Sequence, residues 1–459
     1  MTNKINYDIY QSPFSWRYGS PAMREIFSEL NRRTKWRKVW VSLAQSQSKM
    51  GLINEKELAD IVKFQDSVDI EKAHEIEKEI KHDLMAELKT YAGQAKLGGG
   101  KIHFGATSQD IEDNADTVLF KEAILIIETE LKALLLEFSK KIDEYKDFVC
   151  MAYTHLQPAE PTTLGYRFSI YAQDLLLDLE LLEFIKKQIK GKGFKGAVGN
   201  SASYYSLLND KADALEKDVL DNLGIDAFDV ATQVYPRKLD YLVLSLLASI
   251  AGSLHKFAFD VRILQSAGFG EIQEPFGEKQ VGSSAMPFKR NPILSERICS
   301  IARHIVNLSR TAWDNAANSL LERTLDDSAS RRIILPESFL ATDEILSQAA
   351  HVVAGLKVNK VQIQKNLEKF GPFSASEALM MQAVKNGGDR QELHEIIRDY
   401  SMKSYESNKP LDTFLAKDKT IAKYLSDEQI KEALDYSKHT GLAAKKSTEM
   451  AERIEKLAR

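Results

Sequence analysis

The chain has 459 residues, 62 of them Lys or Arg and 66 Asp or Glu, for a net charge of −4. With 44% hydrophobic and 28% charged residues it can bury one large core or two to three domains. The near-balance of charge argues against a nucleic-acid binder that relies on a broad basic surface. Two cysteines, Cys150 and Cys299, with no CxxC pair, fit a reducing compartment and leave no structural zinc.

In chain order, Met1 to Asp8 contain no apolar core of the kind a secretory leader carries. Residues 1–107 are polar and broken, end in Gly98-Gly99-Gly100, and read as an N-terminal helical domain. Glycine (23) and proline (11) are scarce, which favours long helices beyond that point. Residues 116–145 place Val118, Leu119, Ala123, Ile126, Ile127, Leu131, Leu134 and Leu135 at helical spacing, and 166–190 repeat the pattern from Phe168 to Ile185. Two more long helices are predicted over 239–265 and 293–321. The most apolar stretch, Tyr241 to Leu254, is shorter than a bilayer span and predicts a buried helix, hence a soluble, cytoplasmic protein with no membrane partner. No βαβ rhythm occurs. The expectation is an all-α protein with a central long-helix bundle over 108–355. A Lys- and Glu-rich C-terminal helical domain follows over 356–459, broken at Gly371-Pro372 and Gly387-Gly388. Helices apolar around much of their circumference predict a homo-oligomer with a shared helical core.

Side chains able to do chemistry gather in a few segments. Gly282 to Pro292 sets two serines, Lys289, Arg290 and Asn291 between a glycine and two prolines, so it can be neither regular helix nor strand. It is either a plain surface loop or a mobile one that carries a serine and cations to an anionic substrate. Thr107 and Asp110 have capping-box-like spacing, and a helix N-terminus is also a carboxylate site. In Lys81-His82-Asp83 the carboxylate can orient or charge the His82 ring. In Thr154-His155-Leu156-Gln157-Pro158 a histidine closes an extended piece. From Glu322 to Arg332, Arg323 and Arg332 are nine apart, near one helical angle with Asp327 between, and Ser328 pairs with Arg332 at i, i+4. That segment is a solvated charged face or an anion site. Gly98-Gly99-Gly100-Lys101 is no phosphate loop, because Ile102 stands where Ser or Thr is required, and no metal or cofactor is implied.

The string Gly282-Ser283-Ser284-x-x-Pro287-x-Lys289-x-Asn291 resembles the signature loop of the fumarase/aspartase superfamily, all-helical homotetramers that eliminate fumarate from succinyl compounds. Lys81-His82-Asp83, His103 to Ser108, Thr154 to Ala159 and Glu322 to Arg332 follow in family order. Together with Arg17-Tyr18 they resemble the adenylosuccinate lyase branch. The resemblance implies a three-domain fumarase/aspartase-like fold and elimination of fumarate from adenylosuccinate or from succinyl-aminoimidazole carboxamide ribotide. It also implies no cofactor, and a homotetramer whose active sites are shared between subunits.

It further implies Ser283 as general base, with Ser284 its neighbour, and His155 as general acid. His82 supports His155 and the substrate. A serine hydroxyl is too weak an acid for this role unless amide donors and a cation such as Lys289 stabilise its anion. Thr107 and Ser108 would hold a succinyl carboxylate, and Arg323, Ser328 and Arg332 the nucleotide, with Arg331 beside them. Arg17, Tyr18, Lys81, Asp83, Gln233, Asn291 and Arg297 would complete the binding set. Lys81 stands where this branch usually has Arg, and Phe288 where relatives often have Tyr or His, so a bidentate contact and a ring hydrogen bond are lost. A sister lyase acting on argininosuccinate, aspartate or malate shares the signature loop. A helical binding protein on the same scaffold is the rival of another class.

Overall fold

The computed structural model describes residues 8–407 and 409–458; the leader test at Met1 to Tyr7 falls outside them. The elements that carry the site are α1 (Glu29–Lys49), α2 (Ile70–Ile80), α3 (Asp83–Gln94), α4 (Ser108–Tyr145), α5 (Leu164–Gln188), α6 (Lys238–Gln265), α7 (Ile293–Ala317), α8 (Asp326–Gly355) and α9 (Lys360–Ser374). The all-α expectation holds, and each predicted long helix is present, although α4 begins at Ser108, ahead of the expected 116, and α7 ends at Ala317, short of 321. At 1.5 Å per residue the 38-residue α4 is about 57 Å long.

The chain forms two compact units. The first comprises residues up to Leu131, Asp178–Gly252 and Ser300–Ser347; the second comprises Lys132–Leu177, Ser253–Cys299 and Gln348 onward. Unit one packs Trp36 and Trp40 of α1, Tyr91 of α3 and Ile111, Ala115 and Val118 of α4 against Phe194, Tyr204 and Leu215. Each such fully buried aliphatic side chain stabilises the fold by about 1.5–3 kcal/mol. In unit two, Phe138 meets Phe257 edge-on at 5.2 Å, and Leu379, Leu393, Ile397, Leu415 and Ile430 form a separate C-terminal core.

Three local expectations need correction. The apolar stretch at 241–254 belongs to a 28-residue helix, α6, which by length and hydropathy is long enough to cross a membrane. Packing identifies it as a core helix, because Leu239, Val243, Leu246, Ile250, Leu254, Phe257, Val261 and Leu264 recur every three or four residues and are all buried. The break expected at Gly371-Pro372 is absent, since α9 runs through both to Ser374, and Gly371 lies so close to Tyr436 that a Cβ would sit 2.4 Å from its ring. Thirdly, the extended piece around His155 is an antiparallel hairpin of β1 (Val149–Thr154) and β2 (Gln157–Thr163), paired from Val149–Thr163 to Thr154–Gln157. Pro158 and Pro161 hide β2 from a propensity reading, and a two-stranded ribbon tolerates them because each strand is an edge.

Candidate active site

In unit one, a two-residue joint between α2 and α3 displays Lys81-His82-Asp83. Lys81 ends α2 in the left-handed region (φ 56°, ψ 32°), and its N–H reaches the Glu77 carbonyl at 2.8 Å. His82 caps α3: its Nδ1 accepts the Met85 N–H at 3.4 Å, and its Nε2 lies 3.4 Å from Ser108 Oγ. Asp83 accepts the Leu84 N–H at 2.8 Å and an Arg332 guanidinium hydrogen at 2.6 Å. Burial alone would raise the Asp83 carboxyl, but the hydrogen bond and charge of Arg332 outweigh it and hold the group below its ordinary value. The structure thus joins His82, Asp83, Ser108 and Arg332, drawn from three separate stretches of chain.

Ser108 opens α4, and Asp110 behind it accepts the Thr107 N–H at 3.0 Å, one half of the anticipated capping box. Asp110 is fully buried and also accepts from Lys192 Nζ (2.5 Å), the Gly196 N–H (3.1 Å) and the Tyr204 hydroxyl (3.2 Å). It therefore bolts the Gly191–Ser201 segment to the helix end that carries Ser108. Nothing local in the sequence separates this carboxylate from an ordinary cap.

Arg331 and Arg332 are neighbours with different surroundings. Arg331 is buried, donating to Asp240 at 2.7 Å, Asp116 at 3.0 Å and the Tyr235 oxygen at 2.7 Å, whereas Arg332 is exposed beside Asp83. Arg323 does not share their helix. It precedes α8 and reaches in to Asp327 at 2.9 Å, so the common helical angle expected for Arg323 and Arg332 does not exist. Asp327 is taken from the other side by Arg237 at 2.7 Å. Gln233 ties three segments together, with its N–H on the Glu322 carbonyl and its side-chain amide on the Ala197 carbonyl, both at 3.1 Å. Ser328 and Arg332 line a cavity of about 120 Å³ with Glu112, Asp116 and Trp36. Burial, aided by the charges of Asp83 and Asp116, pushes Glu112 up to about 8, so this carboxyl is neutral at pH 7. Sequence reasoning missed it, because a glutamate on a helix looks solvated until the helix is packed.

In unit two, His155 and Leu156 form the hairpin's two-residue link, both left-handed (φ 54° and 59°), a conformation that glycine or asparagine would adopt with less strain. His155 lines a 440 Å³ cavity with Tyr153, Arg167 and Lys256. Between Gly282 and Pro292 the chain is irregular, as predicted. The Ser283 Oγ accepts the N–H groups of Ala285 (3.3 Å) and Met286 (3.1 Å), and Asn291 donates to the Gly282 carbonyl at 2.9 Å, closing the loop on itself. Gly282 is required there, since a Cβ would fall 2.1 Å from the Lys289 carbonyl oxygen. Buried Glu274 accepts from the Leu294 N–H (3.0 Å), the Ser295 N–H (2.9 Å) and the Ser295 hydroxyl (2.8 Å), fastening the start of α7 just past the loop. Lys289 and Phe288 are exposed, and Arg297 is half-buried on the second turn of α7.

A family model described as "Lyase" matches residues 17–307, and one described as "Adenylosuccinate lyase C-terminus" matches 372–449. Adenylosuccinate lyase from Schistosoma mansoni is 39% identical over 402 residues, covering 86% of this chain and 83% of that protein. That from Methanocaldococcus jannaschii is 38% identical over 435 residues, covering 94% and 93%. Among solved structures, a fumarate lyase from Mesorhizobium sp. BNC1 superposes with a TM-score of 0.86 at 23% identity, over 97% of this chain and 99% of that one. The 3-carboxy-cis,cis-muconate lactonizing enzyme from Pseudomonas putida gives 0.87 at 22%, over 98% and 100%. These two share the fold. The full-length likeness to the first two places the chain in the adenylosuccinate lyase family.

Proposed function

We propose that the chain is a carbon–nitrogen lyase that splits adenylosuccinate into AMP and fumarate, and succinyl-aminoimidazole carboxamide ribotide into its carboxamide ribotide and fumarate. The observation that carries this is the Ser283 oxygen held by two loop amides in a chain of this family. Those donors stabilise the oxygen most when it is an anion, the form that a base abstracting a carbon proton must take. The carbon–hydrogen pair becomes the second bond of the fumarate double bond, the carbon–nitrogen bond breaks, and His155 delivers a proton to the leaving nitrogen. Lys289 supplies positive charge to the loop, and His82 supports the carboxylate site at Thr107 and Ser108. Arg323, Ser328 and Arg332, with Arg17, Tyr18, Lys81, Asp83, Gln233, Asn291 and Arg297, hold the phosphate and carboxylates, and arginine suits that work because its planar fork binds them bidentately.

A homotetramer with sites shared between subunits belongs to the same proposal, as do cytoplasmic placement and the division at 107/108 and 355/356. Its support is an exposed seam on α5: Tyr166, Ile170, Leu177, Leu181 and Phe184 are 36–56% exposed. At 100° per residue they fall within about 60° of one another, the pattern of a helix awaiting another helix. Fumarate release should be followed from adenylosuccinate, with argininosuccinate, aspartate and malate in parallel. Release from the first alone is expected, and release from another would overturn the nucleotide assignment. Mixing inactive Ser283→Ala with inactive His155→Ala after subunit exchange should restore part of the activity. No recovery would mean sites built within one chain.

A further inference from the structure

The segment from Ser12 to Ser20 contains Arg17 and Tyr18, yet it is only a 3-10 turn (Pro13–Ser15) and the lead-in to a six-residue helix (Pro21–Ile26). Nothing local explains how so short a piece could hold two binding groups. Its anchors lie on α8. The Gly19 N–H donates to Glu344 at 3.0 Å, the Ser20 N–H and hydroxyl both donate to Asp343, the latter at 3.1 Å, and the Ser12 hydroxyl donates to Glu337 at 3.4 Å. Gly19 adopts φ +82° with the chain so close to α8 that a Cβ would meet Leu340 Cδ2 at 2.8 Å. Asp343 is buried, with 1% of its surface exposed. Arg332 lies eleven residues before Asp343 on the same helix, about three turns away and near the same helical angle. One helix therefore sets both Arg332 and the Arg17–Tyr18 segment.

We propose that Asp343 and Glu344 are positioning residues for substrate binding, seating Gly19 and Ser20 on α8 so that Arg17 and Tyr18 are held at the distance from Arg332 that the nucleotide requires. This rests on the assignment of Arg17, Tyr18 and Arg332 to the substrate. Burial, with the charges of Asp343 and Glu344, pushes Glu130 of α4 up to about 9.

Steady-state kinetics of fumarate release from adenylosuccinate test the clamp in Asp343→Asn and Gly19→Ala, neither of which removes a proposed binding or acid–base group. Each should raise KM about tenfold while kcat stays within about twofold, the signature of lost positioning for binding. An unchanged KM in both clamp variants at unchanged Tm would overturn the proposal. So would equal losses in kcat and Tm without a KM change, which mark a purely structural contact. If a clamp variant does not fold, Ser20→Ala, which removes the hydroxyl donor to Asp343 and keeps the backbone one, decides by the same KM readout. Absence of fumarate release by the unaltered protein would instead reject the functional assignment beneath it.

Discussion

The joint at Lys81–Asp83 and the loop from Gly282 to Pro292 both present reactive side chains, but they are built on opposite principles. At the joint, His82 is a helix cap, Asp83 is ion-paired to Arg332 at 2.6 Å, and the supporting layer is a buried network of Arg331, Asp240, Asp116 and Tyr235. The loop has no helix, strand or ion pair among its described residues, and is held by a serine accepting two amides, one asparagine amide on its own start and the Gln265 amide of α6 on the Arg290 carbonyl. The difference fits the two tasks proposed for them: charges that bind an anion are best fixed before it arrives, whereas a serine base would need a site from which water is excluded.

The strongest way to break this contrast is at Ser283. Replacing it with alanine should lower kcat by at least about a thousandfold while substrate binding, read by calorimetry, stays within about threefold. Retained turnover would remove the loop from the chemistry. Arg331→Leu attacks the other region: it removes the cation between buried Asp240 and half-buried Asp116 and should cost about 3–5 kcal/mol in denaturant unfolding. A loss below 1 kcal/mol would show that the buried network is not what supports the joint.

A smaller and pH-dependent effect belongs to His103, whose Nδ1 accepts the Trp40 indole N–H at 3.0 Å and whose ring burial pushes down to about 4 from the ordinary 6.5. Between those values the unfolded chain binds a proton that the folded chain refuses. The contribution is therefore fully present above about pH 6.5 and is lost as pH falls towards 4, amounting to ~3 kcal/mol. His103→Asn keeps an acceptor for Trp40 and should flatten the pH dependence of the unfolding midpoint across that window. An unaltered slope would assign it to carboxylates instead.

Much of the candidate site was legible because its residue types sit in short, order-preserving strings. Ser283, Lys289 and Asn291 lie within nine residues, and the capping relation of Thr107 and Asp110 is a matter of local spacing. Arg323 shows where such reasoning fails, since a helical angle is meaningful only if the helix includes the residue, and α8 starts at Asp326. The hairpin beneath His155 was hidden for a similar reason. Two prolines and a left-handed turn without glycine contradict every local strand signal, and pairing with β1 overrides them.

Helix content, the periodicity of α4 to α7 and the loop at Gly282–Pro292 are short-range properties, set by where apolar side chains, glycines and prolines fall along the chain. Tertiary structure decided which charges are buried in a network and which remain accessible. Arg331 and Arg332 are indistinguishable as letters, yet packing buries one among two carboxylates and a tyrosine and leaves the other at the surface beside Asp83. Glu112 becomes a neutral acid, and Asp110 a bolt for the Gly191–Ser201 segment, only because distant segments remove their water and supply their partners. Desolvation depends on what surrounds a group in space, and sequence spacing does not encode that.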